Sequence, residues 1–194
     1  MNEELPKLID EAQAITRDAQ KIFGHLNTEQ LNWKPNVDQW SVAQCFEHLI
    51  VIAAAGFPRI KKIANGDYKP SLKERLPLLP RFFGAMIFKA VQPQAKRKFK
   101  ADARFEPASS TIRGDIIPKF TAHQEEVIGL MKMTQGLDLK KVIITSPVAS
   151  FATYSLLDAY KILVAHERRH MEQAQRVMTA SGFPRDERKS FAAG

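Results

Sequence analysis

Histidines are the residues of this sequence whose spacing could support chemistry. His166 and His170 are four residues apart, so on a helix both imidazoles share one face and can reach a single metal ion. His48 lies on a helical stripe with Cys45 and Ile52, so it too can face the interior of a helix bundle. Three neutral imidazoles from two helices would leave a coordination position open, as catalytic zinc sites do. The sequence therefore predicts a metal site formed by His48, His166 and His170.

Spacing alone leaves a structural alternative open. Two histidines on one apolar helical face are often partly buried side chains with ordinary hydrogen-bond partners. The other two histidines, His25 and His123, are isolated, and we expect them on helix flanks or ends.

The residues around the predicted ligands resemble the signatures of a known family. Residues 33–35 (WKP), 40–44 (WSVAQ) and 47–49 (EHL) resemble the N-terminal signature of the DinB/YfiT-like superfamily of metal-dependent enzymes. Residues 166–173 (HERRHMEQ) resemble its C-terminal signature. Order and spacing both match, and the resemblance covers most of residues 1–182.

The resemblance implies a four-helix bundle in which His48, His166 and His170 hold a divalent metal ion. Zinc or nickel is the expected ion, with iron or manganese as alternatives. Members with assigned activity include thiol-dependent transferases and isomerases that use bacillithiol, mycothiol or glutathione-type cosubstrates. We therefore predict a metal-dependent enzyme acting on a small molecule, either a thiol-dependent S-transferase or a related hydrolase. The alternative is a bundle protein that binds a metal or small ligand without turnover.

Other side chains near the ligands in sequence have two interpretations each. Glu47 and Glu167 could accept a proton or orient an imidazole, but we expect both to project into solvent. Cys45 could be a ligand or nucleophile, although a lone cysteine there is more often a small core residue. Trp33 and Trp40 are expected to pack at an interhelical corner, with a place at a pocket mouth as the alternative.

Apolar residues at three- and four-residue steps predict the helices that would position these side chains. The predicted long helices cover residues 3–26, 41–64, 109–136 and 155–180, with a short extra turn at 28–33. Four such segments without strand alternation indicate an all-α fold, a four-helix bundle with essentially no sheet. Only Val142–Ile144, in the connection 137–153, has the character of a brief extended segment.

Local signals predict where these helices begin, bend and end. Ser41 and Gln44 match a capping box, in which each side chain satisfies a free backbone N–H. Pro58 and Pro118 are expected to kink the second and third long helices, because proline removes a backbone donor. Gly182 suits a left-handed cap after the last helix.

The stretch 67–107, between the second and third long helices, is rich in prolines and basic residues. It contains five prolines, and a short helix is predicted over residues 80–90. From Arg59 to Arg104 there are thirteen Lys or Arg against three Asp or Glu. We interpret the stretch as a helical and irregular excursion with a solvated, mobile basic surface, because no nucleic-acid motif accompanies the charge.

Composition sets the remaining expectations. The 194 residues carry a formal net charge of +8 and a single cysteine, so no internal disulfide can form. The N-terminus does not resemble a signal peptide, and the longest apolar run, residues 49–57, is too short to span a bilayer. We predict a cytoplasmic domain over residues 1–182 with a flexible tail at 183–194. We expect no nucleic-acid or membrane partner and leave a homodimer open.

Overall fold

Helices make up most of the chain that the computed structural model describes, which is residues 4–76, 79–94, 103–107 and 111–185. The α-helices are α1 (Glu4–Phe23), α2 (Thr28–Asn32), α3 (Val42–Ala54), α4 (Phe57–Ala64), α5 (Leu79–Val91), α6 (Ile116–Met133) and α7 (Leu156–Met178). Two 3-10 turns cover Leu72–Arg75 and Ala103–Phe105, and two strands are β1 (Ile143–Thr145) and β2 (Thr153–Ser155). The predicted helical class is confirmed. Within the described ranges, no helix is long and apolar enough to cross a membrane.

The core lies between the four long helices. Helices α1 and α3 each pack against both α6 and α7. Phe46 of α3 joins two neighbours, because its ring makes edge contacts with Phe23 of α1 at 5.1 Å and with Phe120 of α6 at 4.9 Å between centroids. The apolar stripes predicted from the sequence therefore face one shared core.

The capping box at the start of α3 is confirmed, but the predicted continuous helix over residues 41–64 is wrong. The Ser41 hydroxyl accepts from Gln44 N at 3.2 Å, and the Gln44 side chain accepts from Ser41 N at 3.1 Å. The helix ends at Ala54, and α4 starts at Phe57 after a break of two residues. Pro58 lies in the first turn of α4, where backbone N–H groups have no acceptor within the helix. Its missing N–H therefore costs no helical hydrogen bond, and it causes no kink.

The third long helix begins later than predicted. Ser109 and Ser110, its predicted start, lie outside the described residues, but residues 111–115 are not helical. Both backbone groups of Ile112 are bonded to the side chain of Asn32, with each bond 2.8 Å long, so they are unavailable to a helix. Pro118 is again in a first turn and does not kink the helix.

The prediction of essentially no sheet is also wrong in one place. Strands β1 and β2 pair antiparallel, with Ile144 opposite Tyr154. Both of these side chains are buried, so this connection is stabilised by packing although its sequence lacks the apolar spacing of a helix. The extended segment predicted near Val142–Ile144 is confirmed.

The described part of the 67–107 excursion packs on the long helices. Helix α5 contacts both α7 and β2. The Arg169 guanidinium of α7 donates to the carbonyl oxygens of Ala90 and Gln92, at 3.1 and 2.9 Å. Helix α5 is therefore packed against the core helices, residues 95–102 lie outside the described ranges, and the expected mobility of the stretch stays a prediction.

The end of the chain gives one further observation. Gly182 has a positive φ of 84°, as a left-handed cap requires. Beyond it, Phe183 makes an edge contact with Trp33 at 5.6 Å, and Gln30 donates to the Pro184 carbonyl at 3.0 Å. The expected flexible tail starts at 183, and its residues 186–194 lie outside the described part, so that boundary stays a prediction.

Replacing Phe120 should test the core. The Phe120 side chain lies on the face of α6 that packs against α3, and it is fully buried. Phe120→Ala should therefore lower the free energy of unfolding by about 3–5 kcal/mol. Phe82 is 63% exposed, so Phe82→Ala should change it by less than about 0.5 kcal/mol. Urea unfolding followed by far-UV circular dichroism measures both. Equal effects of the two substitutions would contradict this packing.

Glu74 connects the first 3-10 turn to β1 through hydrogen bonds, and the pH dependence of the free energy of unfolding should show how much its carboxylate contributes. Burial raises the pKa of this carboxyl, but hydrogen bonds from Ser71, Thr145 and Tyr68 outweigh it and lower the pKa from 4.5 to about 2. The ionised form is therefore the stabilising one, present above pH 4.5 and lost as the pH falls towards 2. Glu74→Gln should lower the free energy of unfolding at pH 7 by about 3 kcal/mol, and the deficit should shrink below pH 4.5.

Glu125→Gln, at an exposed position of α6, is the matched control and should show no such pH-dependent deficit. A Glu74→Gln deficit that stays constant down to pH 2 would show that the carboxylate is not the stabilising form.

Candidate metal centre

Three histidine side chains converge between α3 and α7. His48 comes from α3, and His166 and His170 come from successive turns of α7. One ring nitrogen of each lies within 4.8 Å of the others, close enough for the three to hold one metal ion. His48 and His170 are buried, and His166 is half-buried. The predicted residues are therefore brought together.

Backbone geometry fixes the tautomer of His48. Its Nδ1 lies 2.6 Å from the carbonyl oxygen of Phe105, in the second 3-10 turn. A carbonyl can only accept, so His48 Nδ1 carries the proton and Nε2 keeps its lone pair. That Nε2 faces Nε2 of His166 at 3.4 Å. The excursion thus supplies the group that orients one predicted ligand, a contact that sequence reasoning missed.

Burial keeps all three imidazoles neutral. It lowers the pKa of His48 below its ordinary 6.5, against an opposing effect of the Phe105 carbonyl. Burial, with a smaller contribution from His48, lowers the pKa of His166 to about 3. Burial and then the other two histidines place the pKa of His170 well below its ordinary value. Neutral imidazole is the form that binds metal.

The spacing of the nitrogen atoms fits a shared cation. His166 Nε2 is 3.1 Å from His170 Nε2 and 3.4 Å from His48 Nε2. Two imidazole nitrogens bound to one zinc ion at roughly 2.0–2.1 Å with tetrahedral angles lie about 3.3 Å apart. With the His48 proton held on Nδ1, Nε2 of His48 presents a lone pair to the cluster, and a neutral His166 or His170 does the same when its own proton is on Nδ1. The donor set therefore suits a divalent ion such as zinc or nickel.

Trp40 forms one wall of the cluster. Its ring stacks on His170 with centroids 5.5 Å apart and an interplanar angle of 18°, and lies 4.9 Å from the His48 ring. It was expected at an interhelical corner; it contacts two of the three imidazoles and restricts their rotation. Trp33 instead lies against Phe183.

The expectation that Glu167 projects into solvent is wrong. Its side chain is 1% exposed and its Oε2 accepts from Gln124 Nε2 of α6 at 3.0 Å. Burial raises the pKa of this carboxyl to about 8. Residues 166–170 read His-Glu-Arg-Arg-His, the order of the zinc-protease helix in which glutamate is the general base. Sequence reasoning missed this match to the His-Glu-x-x-His motif, which is the signal that could have separated Glu167 from an ordinary surface residue.

The remaining candidates lie apart from the converging nitrogens. Cys45 is 1% exposed in the core, and burial raises the pKa of its thiol to about 12, so the core interpretation is confirmed. Glu47 is half-buried rather than solvent-projecting. His25 is exposed beyond the end of α1, and His123 stacks on Phe57 with centroids 4.9 Å apart. Both of these histidines match their expected positions outside the site.

A cavity of about 700 Å³ opens beside the cluster. His166 lines both the cavity and the set of converging nitrogens. The other walls come from α4, α5, β1 and the first half of α7, described further below. A small molecule in this space could therefore reach the ring of His166 and the position that the three imidazoles leave open.

Comparison with known families agrees with this geometry. A family model described as the DinB superfamily matches residues 11–174. The chain belongs to the DinB superfamily. The match spans α3 and α7, and so includes His48, His166 and His170, and it confirms the resemblance drawn from the sequence motifs. No curated protein and no solved structure gives a significant match to the chain.

Removing single histidines should test the centre. We expect His48→Ala, His166→Ala and His170→Ala each to lose stoichiometric metal while keeping the helical far-UV spectrum, because the apolar core does not depend on them. His25→Ala and His123→Ala are matched controls that should retain the metal. Elemental analysis of the purified variants measures this. Full metal content in a His166→Ala, His170→Ala double variant would place the site elsewhere.

Proposed function

We propose that this chain is a metal-dependent enzyme, built on the four-helix bundle of the DinB superfamily, that transfers a small thiol to an organic electrophile. The observation that carries the proposal is the shared position of His166, which belongs both to the imidazole cluster and to the wall of a cavity of about 700 Å³. Pockets of roughly 300–1,000 Å³ hold small molecules. The substrate is therefore inferred to be a small molecule.

Each residue of the centre has an assigned part. His48, His166 and His170 would hold a zinc or nickel ion through neutral ring nitrogens. Such an ion lowers the pKa of a coordinated thiol or water, which supplies a nucleophile at neutral pH. The Phe105 carbonyl holds the His48 proton on Nδ1, away from the ion. Trp40 covers one side of the cluster and excludes water there.

The surroundings of Glu167 favour thiol transfer over hydrolysis. Hydrolysis needs a base that accepts a proton from water. Glu167 has the sequence position of such a base, but its Oε2 is bonded to Gln124 of α6 inside the core. A thiol whose pKa a bound ion had lowered would already be the thiolate, the reactive form, and would need no further protein base. Hydrolysis by the same centre is the second candidate function, and the His-Glu-x-x-His order of residues 166–170 is the observation that favours it.

Cobalt substitution should distinguish these reactions. We expect small thiols, tested as glutathione, cysteine and 2-mercaptoethanol, to add a thiolate charge-transfer band to the spectrum of the cobalt-loaded protein. With zinc or nickel restored, consumption of thiol in the presence of an electrophile such as an epoxide or alkyl halide should require the metal. Glu167→Gln should keep this activity, whereas it would abolish hydrolysis of an ester or amide substrate.

His166→Ala is the negative control, and His123→Ala is the matched histidine control that should behave like the parent protein. Retained metal with no thiol band and no turnover in any of these assays would contradict the proposal. That outcome would instead favour a protein that binds metal or a small ligand without catalysis.

A further inference from the structure

The cavity beside the cluster extends along α7, so its two ends can be located by the residues of that helix. His166, Leu163 and Ala159 all line it. Seven residues separate Ala159 from His166, which is about 10 Å along a helix. One end of the cavity is therefore the imidazole cluster, and the other lies near the start of α7, next to β1 and β2.

Much of the cavity wall is apolar. Its lining includes Ile52 at the end of α3, Ile60 of α4, Ile87 and Val91 of α5, and Leu163 of α7. None of these five carries a polar side-chain atom, so they can contact a hydrocarbon chain or ring but cannot hydrogen-bond to it.

The end near β1 is cationic. Arg59 donates to the Thr145 carbonyl, and Tyr68 donates to the Ile143 carbonyl at 3.3 Å, so both are anchored at β1. Lys62 lies one turn along α4 from Arg59, and Lys69 follows Tyr68 directly, and both line the cavity.

The charges of this end are unbalanced. Arg59 lies 3.8 Å from the buried carboxylate of Glu74, which offsets its charge. Among the residues that the structure describes, Lys62 and Lys69 form no ion pair, and Asp67 is the lining carboxylate. Two lysines against one aspartate leave a positive end, which attracts an anion.

From this arrangement we infer that the cavity binds an elongated, mainly apolar organic carboxylate, whose anionic group lies at Lys62 and Lys69 and whose other end reaches His166. The inference rests on the proposed function only for what happens at the His166 end. The apolar walls and the cationic end do not depend on a metal. For the proposed enzyme, the inference names the electrophile's class: an elongated, mainly apolar molecule whose carboxylate is at the end remote from its reacting carbon.

Decanoate is a suitable probe, with decylamine and 1-decanol as probes of the same length and different charge. Binding to the protein, as purified and after metal removal with a chelator, is measured by isothermal titration calorimetry. We expect one decanoate per chain, bound more tightly than decylamine in both forms. Lys62→Met with Lys69→Met should weaken decanoate binding about five- to tenfold and leave 1-decanol binding unchanged.

Lys61→Met is the matched control, because Lys61 is on the same helix but pairs with Glu126 at 2.8 Å and does not line the cavity. It should leave decanoate binding unchanged. Ala159→Phe should fill the cavity and weaken the binding of both decanoate and 1-decanol, while metal content stays stoichiometric.

Several results would overturn the inference: decylamine binding as tightly as decanoate, no loss in the double lysine variant, or unchanged binding in Ala159→Phe. Decanoate binding that disappears on metal removal but ignores the lysines would show that the carboxylate binds the metal instead. Failure of the metal-dependent thiol reaction with the lysine effect intact would contradict the proposed function alone.

Discussion

The candidate site depends on three imidazole nitrogens that face one another between α3 and α7. Neutral nitrogens at 3.1 and 3.4 Å are acceptable only when a proton or a cation lies between them. The His48 tautomer removes one of the available protons, because its N–H is committed to the Phe105 carbonyl. Burial opposes imidazolium, so protonation is a poor alternative. The three ring nitrogens lie close enough for one divalent ion to satisfy their lone pairs together, so the cluster could hold a metal ion.

The surrounding elements bring these groups together. Helices α3 and α7 lie side by side, so histidines from both can meet, and their contact is one face of the core. The excursion returns to α3 at Phe105, which orients His48, and α5 packs on α7 and lines the cavity. The region with the least regular sequence is therefore tied to the site at two points.

The sequence predicted which three histidines converge because their signal is local. The spacing of His166 and His170 fixes their common face, and the motif around His48 supplied the third member. The Phe105 carbonyl could not be predicted, since a backbone group carries no side-chain signature. The late start of α6 depends on Asn32, a contact 80 residues away along the chain. Glu167 was placed wrongly because an average glutamate is exposed, whereas this one has a partner in Gln124.

X-ray absorption at the metal edge of the zinc- or nickel-loaded protein would show whether three imidazoles bind one metal ion. We expect three imidazole nitrogens in the first coordination sphere, at about 2.0–2.1 Å for zinc, with the outer-ring scattering typical of histidine and no protein sulfur. A spectrum that requires a cysteine sulfur, or that fits with one imidazole or none, would contradict this expectation.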